Sequence, residues 1–234
     1  MPTAIITGAS RGLGLALARA LAERGWDLVL DARGGDALQE AAEELSATTE
    51  VVAVTGDVAD EHHRAELVEA ARALGGPDLL VNNASLLGPS PQPKLADYPL
   101  DDFEAVYEVN VTAPLALIQL ALPLLSQSPQ GRILNVTSDA GVEAYEGWGG
   151  YGSSKAALEQ LSKVLAVEHP GLRVWWIDPG DMNTRMHQEA FPDDDISDRP
   201  PPEESVPGIL KLLDDDAPSG RYQARSAESP EAEE

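Results

Sequence analysis

The chain has 234 residues, 40 of them acidic and 16 basic, for a formal charge of −24. The length suits one domain with a sizeable core, and 43% apolar with 24% charged residues is an ordinary globular mix that argues against collagenous, mostly disordered and membrane-spanning classes. So acidic a chain lacks the basic footprint of a nucleic-acid binder and is repelled by anionic lipid, and with no cysteine it has no disulfides, thiolate metal sites or cysteine nucleophiles.

Apolar β-branched runs alternate with alanine- and leucine-rich helical patterns along the chain. A strand over 3–7 runs into Thr7-Gly8-Ala9-Ser10-Arg11-Gly12-Leu13-Gly14, and a helix follows over 12–24. Strands over 27–31, 50–54 and 78–82 alternate with helices over 36–47 and 60–73. A long helix over 101–127 precedes a strand over 131–137, a helix over 150–169 and a strand over 172–178. A short helix over 203–213 and a last strand over 220–224 follow a proline-rich stretch. Most strands are continuous apolar runs, the pattern of strands covered on both faces, so the sheet is predicted to be parallel. The alternation predicts a doubly wound α/β fold of Rossmann type with about seven strands, forming one domain over 1–225. The tail 226–234 carries four glutamates and no large apolar residue, so it is expected to be disordered. The start has no signal-peptide pattern, and the apolar stretch within 114–125 is too short to span a bilayer; a soluble cytoplasmic protein is expected.

Glycines between a strand and a helix let the backbone approach a pyrophosphate, and the helix N-terminus offers it free N–H groups. The spacing here is G-x3-G-x-G, not the commoner G-x-G-x-x-G. From this turn onward the sequence resembles the short-chain dehydrogenase/reductase family. The resemblance accumulates in order through Gly56-Asp57-Val58, Asn82-Asn83-Ala84, Asn110, Ser138, Tyr151-x3-Lys155 and Pro179-Gly180-x3-Thr184. It covers roughly 3–185 and, more loosely, 220–224. One departure is Ser85, where many members have glycine after Asn-Asn-Ala. The resemblance implies a nicotinamide cofactor held by Gly8, Ser10, Arg11, Gly12, Leu13 and Gly14. It implies further that Asp57 and Val58 contact adenine, that Asn83 and Ala84 line the adenosine side, and that Thr184 binds the carboxamide. Pro179 and Gly180 would let the chain turn close against the ring.

Tyr151 and Lys155 are four apart at a helix start and share one face. A nearby ammonium stabilises a phenolate, so the tyrosine can exchange a proton with a carbonyl oxygen. Lys155 has donors left for the nicotinamide ribose. Ser138 ends an apolar strand at the carboxyl edge of the sheet, where ligands bind in open parallel sheets, and its hydroxyl can stabilise a developing oxyanion. Asn110 lies four before Pro114, which has no N–H, so the Asn110 carbonyl loses its helical partner. The resemblance implies that it holds a water linking Lys155 to solvent.

The ribose reader of an NAD site is an acid at the end of the second strand, and NADP sites place arginine there. Counting about eighteen residues from Gly14 reaches Ala32, with Arg33 next and Arg11 in the turn. Two guanidiniums can clamp a 2′-phosphate, so NADP(H) is expected over NAD(H). Asp31 is one position early, and strand alternation turns it to the opposite side from Ala32.

Asp139, Gly141, Tyr145, Trp148, Met182, Met186 and His187 flank the site and suggest a partly apolar substrate pocket. His187 has no partners at ligand spacing, so no metal is expected. His62-His63 reads as a solvated pair, and 186–208 as a lid. The leading reading is an NADPH-dependent carbonyl reductase, reversible to an alcohol dehydrogenase, for a small ketone, aldehyde or sugar-like alcohol. The alternatives are a 3-oxoacyl-carrier reductase and a catalytically silent cofactor sensor or scaffold. The apolar faces of 101–127 and 150–169 suggest a homodimer or homotetramer.

Overall fold

The computed structural model describes residues 1–225; the expectation for the tail 226–234 lies outside the described residues. Seven strands form one sheet: β1 (Thr3–Ile6), β2 (Asp27–Ala32), β3 (Val51–Thr55), β4 (Leu79–Asn82), β5 (Arg132–Val136), β6 (Arg173–Asp178) and β7 (Gly220–Gln223). Their order is β3-β2-β1-β4-β5-β6-β7, and every neighbouring pair is parallel. The helices are α1 (Gly12–Glu23), α2 (Gly35–Leu45), α3 (Glu61–Ala73), α4 (Leu100–Tyr107), α5 (Ala113–Leu125), α6 (Gly149–Glu168), α7 (Arg185–Ala190) and α8 (Val206–Asp214). This is the doubly wound Rossmann-type sheet that the alternation predicts.

Strand residues alternate between two cores, as the two-residue period requires. Ile6, Leu30, Val81, Leu134 and Trp175 meet α1 and α8 on one face. Ile5, Val29, Leu80, Ile133 and Val174 meet α3 and α5 on the other. The strand order reverses between β1 and β4, so the loops after these strands splay apart and open a crevice at the carboxyl edge. Every candidate motif lies at that edge.

The long helix departs from expectation. Five residues, Glu108–Thr112, form a π turn between α4 and α5, in which the Ala113 N–H reaches back to the Glu108 carbonyl. Pro114, which lacks an N–H, follows at once, and Asn110 sits in the turn with 1% exposure. The helical stretch Leu100–Leu125 is therefore continuous for 26 residues and contains an 18-residue window of mean hydropathy 1.5, long and apolar enough by length and composition to cross a membrane. The shorter stretch considered from sequence understates it. The inner face of α5, from Ala113 and Leu117 to Ala121 and Leu125, packs on the sheet, the role of a core helix.

Candidate active site

The glycine turn is locked from beneath. Asn83, just after β4, donates from Nδ2 to the Thr7 carbonyl at 2.8 Å and the Gly8 carbonyl at 3.2 Å. The Asn83 and Ala84 N–H groups both donate to Thr7 Oγ1 at 3.0 Å. The Asn83 side chain thus holds the turn itself. Gly8 has φ +66°, and a Cβ on Gly14 would lie 2.5 Å from the Gly8 carbonyl oxygen. The backbone is therefore bare at this face, and α1 starts at Gly12 with no side-chain cap from Arg11 on its first N–H groups. Leu13 is buried in the core and offers only its main chain. A Cβ on Gly12, which has φ +55°, would lie 3.6 Å from the Thr184 methyl group, so the segment after β6 closes over the turn. Ser10 is half-buried beside it. This cradle, with its free N–H groups, fits a pyrophosphate.

At the end of β2 the side chains separate as alternation predicts. Asp31 is buried, receives the His63 ring at 2.6 Å and accepts the Gly8 N–H at 3.3 Å. Its carboxylate is engaged by these two partners. His63 is 5% exposed, so the expectation of a solvated pair holds for His62 alone. The contact with Asp31 raises the His63 pKa, against the opposing effect of burial. Arg33, by contrast, is exposed, with Nη1 4.0 Å from Asp57 Oδ2. Arg11 is exposed too, and its guanidinium passes Gly34. Asp57 accepts the Ala59 N–H at 3.0 Å, and Val58 is buried with its carbonyl held by Arg64.

The reaction centre assembles from four elements. Ser138 follows β5 and caps a short 3-10 turn (Asp139–Gly141), accepting the Ala140 N–H at 3.2 Å and donating to Asp139 Oδ1 at 2.9 Å. Tyr151 and Lys155 project from the first turns of α6. Lys155 is 2% exposed and donates from Nζ to the Val136 carbonyl at 2.8 Å. Burial lowers its pKa to about 7. Its ammonium lies 5.4 Å from the Tyr151 ring centroid. Burial raises the Tyr151 pKa well above that of a free phenol, and the carboxylates of Asp178 and Asp139 add to the rise. The protein alone keeps this tyrosine a neutral acid. Asn110 meets the same group through its side chain: Oδ1 accepts Ser85 Oγ at 3.0 Å and the Leu86 N–H at 2.8 Å. Nδ2 donates to the Leu86 carbonyl at 2.9 Å and to Ser154 Oγ at 3.0 Å.

Ser138, Tyr151, Pro179, Gly180 and Thr184 border one cavity of about 100 Å³ together with Asp139, Trp148, Met182, Met186 and His187. Burial lowers the His187 pKa, and its Nε2 has no hydrogen-bond partner. Gly141 instead packs on the α6 backbone, and Tyr145 is exposed with its hydroxyl 3.0 Å from Asp139 Oδ2. A larger cleft of about 620 Å³, bordered by Arg24, Trp26 and Arg132, lies at the opposite end of the strands, away from every motif.

Sequence reasoning missed a buried ionic cluster behind Ser138. Glu159 of α6 receives Thr137 Oγ1 at 2.8 Å and Arg221 Nε at 3.1 Å. Arg221 Nη2 also approaches Asp178 at 3.8 Å and donates to the Ser138 carbonyl at 3.4 Å. These residues lie far apart in sequence, and none belongs to a motif. Likewise His63 could have been found only through Gly56, where any Cβ would collide with its imidazole.

Comparison with known proteins agrees with this geometry. The profile of the short chain dehydrogenase family matches residues 2–195. A rhamnolipids biosynthesis 3-oxoacyl-[acyl-carrier-protein] reductase of Pseudomonas aeruginosa is 39% identical over 191 residues, 78% of this chain and 73% of that protein. Sepiapterin reductase of Rattus norvegicus is 36% identical over 199 residues, 80% of this chain and 76% of the relative. A short-chain dehydrogenase of Shigella flexneri 2a, solved in complex with NADP, superposes with a TM-score of 0.89 at 29% identity, covering 96% of this chain and 97% of its own. The cradle, the tyrosine–lysine helix and the seven-stranded sheet thus belong to one lineage: the chain is an oxidoreductase of the short-chain dehydrogenase family.

Proposed function

We propose that the protein is an NADPH-dependent carbonyl reductase, reversible to an alcohol dehydrogenase, for a small or medium ketone, aldehyde or sugar-like alcohol. The observation that carries this reading is the convergence of Ser138 and Tyr151 on one cavity at the carboxyl edge, with Lys155 buried beside them. Bound NADPH supplies the hydride. Gly8, Gly12 and Gly14 leave room for its pyrophosphate against the N-terminus of α1. Arg11 and Arg33 hold its 2′-phosphate, while Asp31 is withdrawn onto His63. Asp57 and Val58 face the adenine, and Pro179, Gly180 and Thr184 the nicotinamide end.

Tyr151 gives its proton to the substrate oxygen as the carbonyl carbon is reduced. Burial keeps the phenol neutral, the form a reductase needs in a proton donor. Ser138 turns its hydroxyl from Asp139 to the same oxygen and stabilises the charge developing there. Lys155, on the Val136 carbonyl, holds the tyrosine side of the site and offers its remaining donors to the ribose. Asn110 sets the backbone of the π turn beside it. Met186, His187 and Ala190 of α7 border the cavity, whereas Val206, near the far end of the expected lid 186–208, is buried in the core with residues of α1.

A 3-oxoacyl-carrier reductase is the second reading, favoured by the Pseudomonas aeruginosa relative. The charge of −24 and the carboxylates of Asp139 and Asp181 beside the cavity oppose an acidic carrier. A silent cofactor sensor is disfavoured because Asn110, Ser138, Tyr151 and Lys155 are all retained. Exposed apolar side chains on α4, α5 and α6, including Leu100, Leu120, Val164 and Val167, support a homo-oligomer.

The test is cofactor oxidation against a panel of ketones, aldehydes and 3-oxoacyl thioesters, with NADPH and NADH compared. NADPH turnover that disappears in Tyr151→Phe is expected. Replacing Arg11 and Arg33 by alanine should weaken NADPH a hundredfold or more and NADH little, on about 1.5–3 kcal/mol for each charged hydrogen bond. A preference for NADH in the unaltered protein overturns the cofactor reading.

A further inference from the structure

Three carboxylates border the cavity that holds Ser138 and Tyr151, those of Asp139, Asp178 and Asp181. Two have a counter-charge: Arg221 Nη2 lies 3.8 Å from Asp178, and Arg199 Nε lies 3.5 Å from Asp181. Asp139 has none among the described residues. Its partners are neutral donors, the Ser138 hydroxyl at 2.9 Å and the Ala140 N–H at 2.8 Å on Oδ1, and the Tyr145 hydroxyl at 3.0 Å on Oδ2. Among the described residues no lysine or arginine borders the cavity, and burial holds its histidine, His187, toward the neutral form. Trp148 borders it too, with its ring centroid 6.4 Å from that of Tyr145 and 5.8 Å from those of Tyr151 and Phe191. Tyr145 joins the two, its hydroxyl on Asp139 and its ring against Trp148. Asp139 is exposed, so a ligand reaches it. An unpaired carboxylate beside aromatic rings attracts a cation, by its charge and by the negative ring faces.

Resting on the reading of Ser138 and Tyr151 as the carbonyl site, we propose that Asp139 is a specificity-determining residue and that the substrate is an amino ketone, or the amino alcohol in reverse, whose ammonium it binds. The reaction itself prepares the place. Ser138 gives its proton to Asp139 Oδ1 until a carbonyl oxygen arrives. When that hydroxyl turns to the substrate, Oδ1 keeps the Ala140 N–H and has a lone pair free. A substrate N–H takes the position that the Ser138 proton leaves, so the carboxylate stays satisfied through the reaction. The separation fixes where the ammonium stands. Ser138 Oγ is 2.9 Å from Asp139 Oδ1, so a carbonyl oxygen about 2.8 Å from Ser138 lies within about 6 Å of the carboxylate. An ammonium on the carbon next to the carbonyl, or one carbon further, spans that gap. Reduction adds a hydride to the carbonyl carbon and the Tyr151 proton to its oxygen, and no bond to nitrogen changes. A neutral ketone meets Ser138 and Tyr151 in the same way but leaves Oδ1 short of one donor. An anionic group beside the carbonyl is repelled. The formal charge of −24 draws a cation toward the protein in the same sense.

The experiment compares dimethylaminoacetone, protonated at the assay pH, with isobutyl methyl ketone, its isostere with carbon in place of nitrogen. With the full chain and NADPH, kcat/KM should be about tenfold higher for the cation. Asp139→Asn keeps an acceptor for Ser138 and Ala140 and removes the charge, so it should bring the ratio of the two kcat/KM values close to unity. Asp139→Glu, which keeps the charge, should keep the cation ahead. Equal values in the unaltered protein overturn the proposal, and so does a preference that survives in Asp139→Asn. A second readout needs no turnover. Calorimetry on Tyr151→Phe holding NADPH should give dimethylaminoacetone a Kd about tenfold below that of isobutyl methyl ketone, and Asp139→Asn in that background should erase the difference. Equal affinities, or binding of neither ketone, overturn the role of Asp139. Turnover of neither ketone with the calorimetric difference intact would instead sink the reductase reading and leave Asp139 as the cation site.

Discussion

His63 and Asp31 show how one residue pair governs a site that it does not enter. The imidazole holds the carboxylate at 2.6 Å, the carboxylate accepts the Gly8 N–H, and Gly56 lies flat on the ring. The pair thereby ties together the glycine turn, the end of β2 and the loop bearing Asp57. The His63 pKa is raised above its ordinary 6.5 by Asp31, so its contribution to stability is fully present below about pH 6.5 and is lost as pH rises through the raised value. The difference in melting temperature between the unaltered protein and His63→Gln should be widest near pH 6 and narrow toward pH 9. At the acidic end the substitution should cost about 3 kcal/mol, as for breaking a buried pair. A difference that widens with pH would contradict this account. Sequence spacing made Asp31 a rival ribose reader; strand alternation turns it inward, and His63, 32 residues away on α3, engages its carboxylate there.

At the scale of elements, α6 and β7 are joined by charge instead of by apolar contact alone. Glu159 is 4% exposed, and its partners are Arg221 and Thr137. The same arginine holds the Ser138 carbonyl, so the edge strand β7 reaches the reaction centre through one side chain. Arg221→Met should leave Glu159 buried without its cation and lower stability by roughly 3–5 kcal/mol in urea unfolding. It should also slow reduction by loosening Ser138. Adding Glu159→Gln should restore most of the stability; a double variant no more stable than the single one would refute the coupling. The alternation of strands and helices was legible because parallel strands read as apolar runs. The π turn was visible only as a proline four after an asparagine. The side chain of Asn110 settles it, bonding the loop after β4 and α6 from within the helix.

At the scale of the molecule, apolar surface and charge oppose each other. A formal charge of −24 resists close approach of two copies, yet Val167 at 80% and Leu100 at 75% exposure remain uncovered. Light scattering at micromolar protein should give a dimer or tetramer mass, rising in salt as repulsion is screened. Val167→Asp with Val164→Asp should give a monomer mass. A monomer from the unaltered protein at all salt concentrations would remove the oligomer reading.

Local signals in the sequence were sufficient for the parallel sheet, the glycine turn, the pairing of Tyr151 with Lys155 and the place of Ser138 at a strand end. Each rests on residues within a few positions of one another, where strand period, helix period and glycine geometry apply directly. Tertiary structure alone decided that Asn83 bolts the turn, that Lys155 binds the Val136 carbonyl, that Glu159 and Arg221 underlie Ser138, and that Ser85 meets Asn110. Those contacts join residues far apart in the chain. Their energies depend on burial and on which polar groups remain unpaired, quantities that exist only once the sheet has brought the loops together.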